Sequence, residues 1–174
     1  MSDAQDELRV VVDAQIALAM FLVRRDQPDV RSPKRELLKL LPSERFRWLW
    51  TPDILADYEC GAAVIESDER IVRRALFDRV GFSLLLAALQ LSPPVNVSAT
   101  AMRAARQRLH QASRAPDRDP DDAVYLACAV DGDAHLLVSK DSDLRSLGSR
   151  YEDVRIVGWR ELEGEMRRRG LLPG

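Results

Sequence analysis

Leu136-Leu137-Val138-Ser139-Lys140-Asp141-Ser142-Asp143 is an apolar run that breaks directly into two acids. Residues 134–139 read as a buried strand, and the acids follow where the strand must end. Arg9-Val10-Val11-Val12-Asp13 repeats the form, with β-branched residues closed by an aspartate. Between and after these runs, helix-like segments alternate with short apolar ones. That alternation predicts an α/β fold, a three-layer α/β/α sandwich around a central parallel sheet. Ligands of such sheets bind outside the carboxyl ends of the strands. Both runs therefore deliver acids to one edge.

Local signals fill in the rest. Residues 14–23 read as a helix, 33–41 as a short helix stopped by Pro42, and 46–50 as a strand. Thr51-Pro52-Asp53 starts a helix: Thr51 caps it, Pro52 suits its first position and Asp53 complements its dipole. Ile54, Tyr58, Ala62 and Ile65 form its apolar stripe. Residues 68–91 read as one long helix, or as two broken near Gly81, ended by Pro93-Pro94. Residues 95–97 are a candidate strand and 99–112 a basic helix. Asp119-Pro120 starts the next helix, 141–147 is a short helix, 154–157 a last strand and 159–169 a last helix.

With 174 residues, one domain over 1–174 is expected, flexible over 1–7. The 46% apolar and 31% charged content excludes a disordered chain. Cys60 and Cys128 lack zinc spacing and read as two buried thiols of a reducing compartment. The N-terminus is acidic and lacks an early apolar run, and the most apolar stretch, 81–91, is too short to cross a bilayer. A cytoplasmic protein without membrane association is expected. The net charge of −2 gives no overall pull toward nucleic acid. Basic residues nevertheless crowd into 24–39, 103–114 and 160–169, and all but Lys34, Lys39 and Lys140 are arginine.

Carboxylates at the ends of buried strands are costly unless something positive joins them. The usual partner is a hard cation, Mg²⁺ or Mn²⁺, which makes metal-assisted phosphodiester chemistry the leading expectation. Asp119 and Asp121 can serve as cap and dipole complement. Asp122 shares a helical stripe with Leu126 and Ala129 or Val130, so it should point over the sheet edge. One of Asp141 and Asp143 is free if the other caps the following helix. Asp13 must be paired, capped or metal-bound. Without metal, at least one acid of this set should have a raised pKa.

The run from Asp119-Pro120-Asp121-Asp122 through Ala129, followed by Gly132-Asp133-Ala134 and the strand with its two acids, resembles the C-terminal half of PIN-domain nucleases. Val10-Val11-Val12-Asp13-Ala14 is similar to their first strand and first acid, and Thr51-Pro52-Asp53-Ile54-Leu55-Ala56-Asp57-Tyr58 to their second motif. The similarity spans about residues 9–159. It implies a metal-dependent ribonuclease in which Asp13, Asp122 and Asp141 are the first metal ligands, Asp143 is a further metal-binding acid near them and Ser139 orders the site. Asp57 takes the place of the family's usual glutamate as a further catalytic acid. Gln15 stands where Asn or Ser is common. Many bacterial members are toxins, often dimeric, silenced by a small antitoxin protein.

For RNA, Arg103, Arg106, Arg108 and Arg114 lead along one segment toward Asp122, and Lys140 sits beside the acids. Arginine–phosphate contacts give affinity without sequence readout. His135 reads as structural, and Trp48, Trp50 and Trp159 as core. A non-catalytic RNA- or protein-binding module is the alternative, motivated by Asp57 and Gln15. An aspartyl-phosphatase is disfavoured because Asp13-Ala14-Gln15 lacks a second Asp.

Overall fold

The computed structural model describes residues 7–41, 43–112 and 122–173. In chain order the elements are β1 (Leu8–Val12), α1 (Ala14–Ala19), β2 (Leu22–Arg24), a 3-10 helix (Pro33–Leu40), β3 (Phe46–Trp48), α2 (Pro52–Ser67), α3 (Glu69–Val72), β4 (Ala75–Phe77), α4 (Arg79–Leu89), α5 (Ala99–Ala112), α6 (Asp122–Asp131), β5 (Leu136–Val138), α7 (Ser142–Ser146), β6 (Arg150–Tyr151), β7 (Val154–Val157) and α8 (Trp159–Arg168).

The main sheet runs β3-β1-β5-β7-β6. β1 lies between β3 and β5, parallel to both, with Val12 opposite Val138. β7 continues the parallel set, and β6 closes the edge antiparallel to it. The sheet is thus mixed, parallel at its centre and flanked by helices. Leu8, Val10, Val11 and Val12 are all fully buried, as are Leu137 and Val138. Both sheet faces must therefore be covered, which is why these strands read as continuous apolar runs rather than alternating ones.

Several expected elements are corrected. The helix from Ala14 ends at Ala19, and Leu22–Arg24 forms an antiparallel pair with Ala75–Phe77. That second strand interrupts the long helix expected over 68–91. Asp68 caps α3, and Asp78 caps α4 by accepting from Gly81 N–H at 2.9 Å. Residues 95–97 form no strand, although the Val95 amide donates to the Trp50 carbonyl at 2.8 Å. The helix start at Asp119-Pro120 lies outside the described residues; α6 is described from Asp122. Cys60 is exposed, not buried, while Cys128 is buried, and both thiols are free. Burial pushes the Cys128 thiol up to about 12. Trp48 and Trp50 are buried as expected, and Trp159 is half-buried.

The turn from α6 into β5 shows why glycine precedes the strand. A Cβ on Gly132 would sit 2.8 Å from the Cys128 carbonyl oxygen and 2.8 Å from a Leu49 methyl. Asp133 follows with φ +49, and the Ala134 amide donates to the Ala129 carbonyl at 2.8 Å. This tight closure drops the chain from the helix directly into β5 beside β1.

Candidate functional site

The site begins with two strand ends. The Asp13 amide donates to the Val138 carbonyl at 3.0 Å, so β1 and β5 finish level with each other. Asp13 then caps α1: its Oδ1 accepts from the amides of Gln15 at 2.6 Å and Ile16 at 3.3 Å. Its Oδ2 accepts from the Ser139 hydroxyl. Ser139, fully buried, in turn accepts from the Asp141 amide at 2.9 Å. One hydroxyl therefore couples the acid ending β1 to the loop carrying the acid after β5. Ser139 is expected to order the site, and these are the contacts it makes there.

Asp141 caps α7, accepting at Oδ1 from the Asp143 amide at 2.7 Å and the Leu144 amide at 3.4 Å. Asp122 arrives from the first turn of α6. Ligand oxygens of Asp122, Asp141 and Asp143 all lie within 4.8 Å of one another, and all three residues are half-buried. Asp143, expected as a further metal-binding acid, stands inside this group of three. Asp13 is held beside it through Ser139.

This donor set fits a hard divalent cation. It offers carboxylate oxygens, with no thiol or imidazole in the group, and oxygen-only sets suit Mg²⁺, Mn²⁺ or Ca²⁺ rather than Zn²⁺. Asp13 supplies the electrostatic counterpart. Only 4% exposed, its carboxyl is held above the usual aspartate range by burial. Hydrogen bonds from Ser139, Gln15 and Ile16 oppose that rise, and the Asp141 charge adds to it. A raised carboxyl pKa is expected within the metal-free acid set, and here burial is its main cause, with the Asp141 charge a lesser one.

Gln15 reaches into this edge, its side-chain amide donating to Asp141 Oδ2 at 3.4 Å. Asp57 stands outside the three-acid group and accepts from the Tyr125 hydroxyl at 2.5 Å. It lines a pocket of about 320 Å³ between α2, α5 and α6, together with Cys60, Met102, Arg106 and Val124. Arg103, Arg106 and Arg108 are all exposed on α5. The helix separates them: Arg106 lines the Asp57 pocket, while Arg108 acts electrostatically on Tyr151 of β6. Lys140 is exposed directly before the acids, and Arg114 lies outside the described residues. His135 is structural as expected, its Nδ1 accepting from the Arg9 amide at 3.0 Å.

Tyr125 was not anticipated as a functional residue. It lies in a helix whose residues 123–129 are all buried, so its ring reads as one more core side chain. The sole signal was its place three residues after Asp122, one helical turn further along α6.

No curated protein and no solved structure matches the chain. The family model of the PIN domain matches residues 9–143, most of the chain. The match runs from the strand before Asp13 to Asp143, the last member of the three-acid group. PIN domains are generally metal-dependent nucleases, and this fold brings together three carboxylates that could hold a metal ion: the chain belongs to the PIN-domain family.

Proposed function

We propose that this protein is a Mg²⁺- or Mn²⁺-dependent ribonuclease that hydrolyses RNA phosphodiester bonds and acts in the cytoplasm. The convergence of Asp122, Asp141 and Asp143 at the edge where Asp13 ends β1 carries this reading. Asp122, Asp141 and Asp143 would hold the cation, with Asp13 adjoining. When bound, a divalent cation lowers the pKa of water and stabilises charge on phosphoryl oxygens. The protein's own groups do the rest. Ser139 keeps Asp13 and Asp141 in fixed relation, the α7 cap orients Asp141, and Asp57 contributes a further carboxylate. Arg106 in the adjoining pocket, with Arg103 and Lys140, suits the phosphates of the bound strand. Arg108 faces elsewhere, and Arg114 lies outside the described residues.

The deciding experiment is cleavage of single-stranded RNA with and without Mg²⁺ or Mn²⁺, against DNA of the same sequence. Cleavage that survives both Asp13→Asn and Asp141→Asn would refute the site. Metal-independent binding without cleavage would favour an RNA-binding module instead.

Metal should also stabilise the fold. At a free concentration a hundredfold above Kd, the gain is about 2.7 kcal/mol, which is about 5–10 °C in melting temperature for a chain of this size. A melting scan in millimolar Mn²⁺ that matches the metal-free scan would count against the cation site.

A toxin role extends the same reading. Induced expression would arrest growth, Asp141→Asn would abolish the arrest, and a small antitoxin protein would cover the acid edge. A homodimer is proposed through α4. Val80 and Leu84 are 73% and 67% exposed, and Leu91, just beyond the helix, is 73% exposed. With Ala87 they follow a 4-3-4 spacing, one apolar seam on the outer face of α4. Residues 80–102 contain no ionisable side chain, in a chain that is 31% charged. Such a seam is complementary to itself about a two-fold axis. Leu84→Glu is expected to halve the mass measured by light scattering without lowering the melting temperature of the protomer. A wild-type mass of one chain would end the dimer proposal.

A further inference from the structure

Two buried tyrosine hydroxyls tie together three of the elements that carry acids. Tyr58 of α2 donates to the Val12 carbonyl, the peptide directly before Asp13. Tyr125 of α6 donates to Asp57 Oδ2 at 2.5 Å. Tyr58 is fully buried and Tyr125 is 2% exposed. The two bonds form a brace: β1 is pinned to α2 next to Asp57, and Asp57 is pinned to α6 one turn after Asp122.

The brace answers a problem of reach. Asp57 lies outside the group formed by Asp122, Asp141 and Asp143. A half-exposed aspartate on a helix beside a pocket would sample several rotamers, and each would present its charge differently. A hydrogen bond from an anchored phenol removes that freedom. It occupies one carboxylate oxygen and leaves the other for the pocket that Arg106 and Met102 line. Burial holds the phenol of Tyr125 far above its ordinary pKa, with the Tyr58 and Asp57 neighbours adding to the effect. It therefore stays a neutral donor at any working pH.

Building on the metal-nuclease reading above, we propose that Tyr125 is a positioning residue that fixes the Asp57 carboxylate relative to Asp122, so that Asp57 supports cation binding from outside the three-acid group. The claim concerns the hydroxyl alone, because phenylalanine would fill the same buried volume.

The test uses the full chain with Tyr125→Phe, Asp57→Asn, the double variant and Asp141→Asn. Two quantities are measured: the Mn²⁺ concentration giving half of the melting-temperature rise, and single-turnover cleavage of a labelled single-stranded RNA. Supporting partners of metal ligands typically contribute about 10- to 100-fold in metal affinity or activity. Tyr125→Phe is expected to raise the half-saturating Mn²⁺ concentration by about tenfold. Asp57→Asn should do the same, and the double variant should be no worse than Asp57→Asn, since both remove one interaction. A purely structural tyrosine would lower the metal-free melting temperature and leave the Mn²⁺ midpoint unchanged; that result, or fully additive losses, overturns the proposal. If Tyr125→Phe does not fold, Asp57→Asn decides alone, and a wild-type Mn²⁺ midpoint there overturns it. Unchanged Mn²⁺ response in Tyr125→Phe beside an inactive Asp141→Asn refutes this inference only. An active Asp141→Asn with normal Mn²⁺ binding refutes the three-acid cation site of the nuclease reading and this inference with it.

Discussion

Asp141→Asn should cost on the order of 10³-fold in RNA cleavage and remove most of the Mn²⁺-dependent rise in melting temperature, while the metal-free fold survives. The magnitude follows from the site. A divalent cation supplies several kcal/mol of stabilisation to charge developing at phosphorus, and each decade of rate is about 1.4 kcal/mol. Asp141 is held at several points. Its Oδ1 caps α7, its amide is held by Ser139 and its Oδ2 meets the Gln15 amide. Asparagine is among the best capping residues, so the Oδ1 cap can persist. The other oxygen becomes an NH₂ group, which cannot ligate a cation and faces the Gln15 donor. Loss of cleavage with an unchanged metal-free melting curve would isolate the ligand role. A variant that still cleaves would remove Asp141 from the site.

Asp143→Asn provides the internal comparison. Its side chain belongs to the same three-acid group, but no helix cap depends on it. A smaller loss than in Asp141→Asn would mean that the cap geometry of α7 matters as well as charge.

The strands bearing the acids were readable because burial on both faces leaves an unbroken apolar run, and a charge at its end stands out. Val10-Val11-Val12-Asp13 and Leu136-Leu137-Val138 followed by Asp141 carry that signal on their own. Capping chemistry was equally legible: Thr51 accepts from the Ile54 amide at 3.1 Å, where the Thr-Pro-Asp run placed the start of α2. The β2–β4 pair was not legible. Its strands have three residues each and meet across some fifty positions, Arg24 opposite Ala75, too short for any period to register. Apolar residues on α4 then extended the helical pattern backward across β4. The partnership of Asp57 was hidden for a different reason. Tyrosine in an apolar helix scores as core, and nothing local reveals which residue of another helix its hydroxyl meets. Sequence reasoning could compare Asp57 with a longer glutamate, yet it could not show a phenol already holding that carboxylate.

Asp13→Asn should separate stability from function in opposite directions. The carboxyl of Asp13 is raised above the ordinary aspartate value of 3.8, chiefly by burial. The folded state therefore holds this proton more tightly than the unfolded chain does. The resulting stability is fully present below the unfolded pKa and is lost as pH rises through the folded one. Ionising this carboxyl in the metal-free fold leaves an unfavourable buried charge. Asparagine removes that charge, and its carbonyl oxygen can still cap the amides of Gln15 and Ile16. The metal-free variant should melt above wild type at pH 7, and the gap should close on acidification toward the ordinary aspartate value of 3.8. Cleavage should fall by orders of magnitude in the same variant, and added Mn²⁺ should narrow the gap by stabilising wild type more. A pH series of melting curves with and without Mn²⁺ checks each part. A variant that melts below wild type at pH 7 without metal would show that the Asp13 charge is already compensated within the protein. The stability that Asp13 gives up would then have some origin other than a cation site, and the strongest electrostatic argument for metal at this edge would fail.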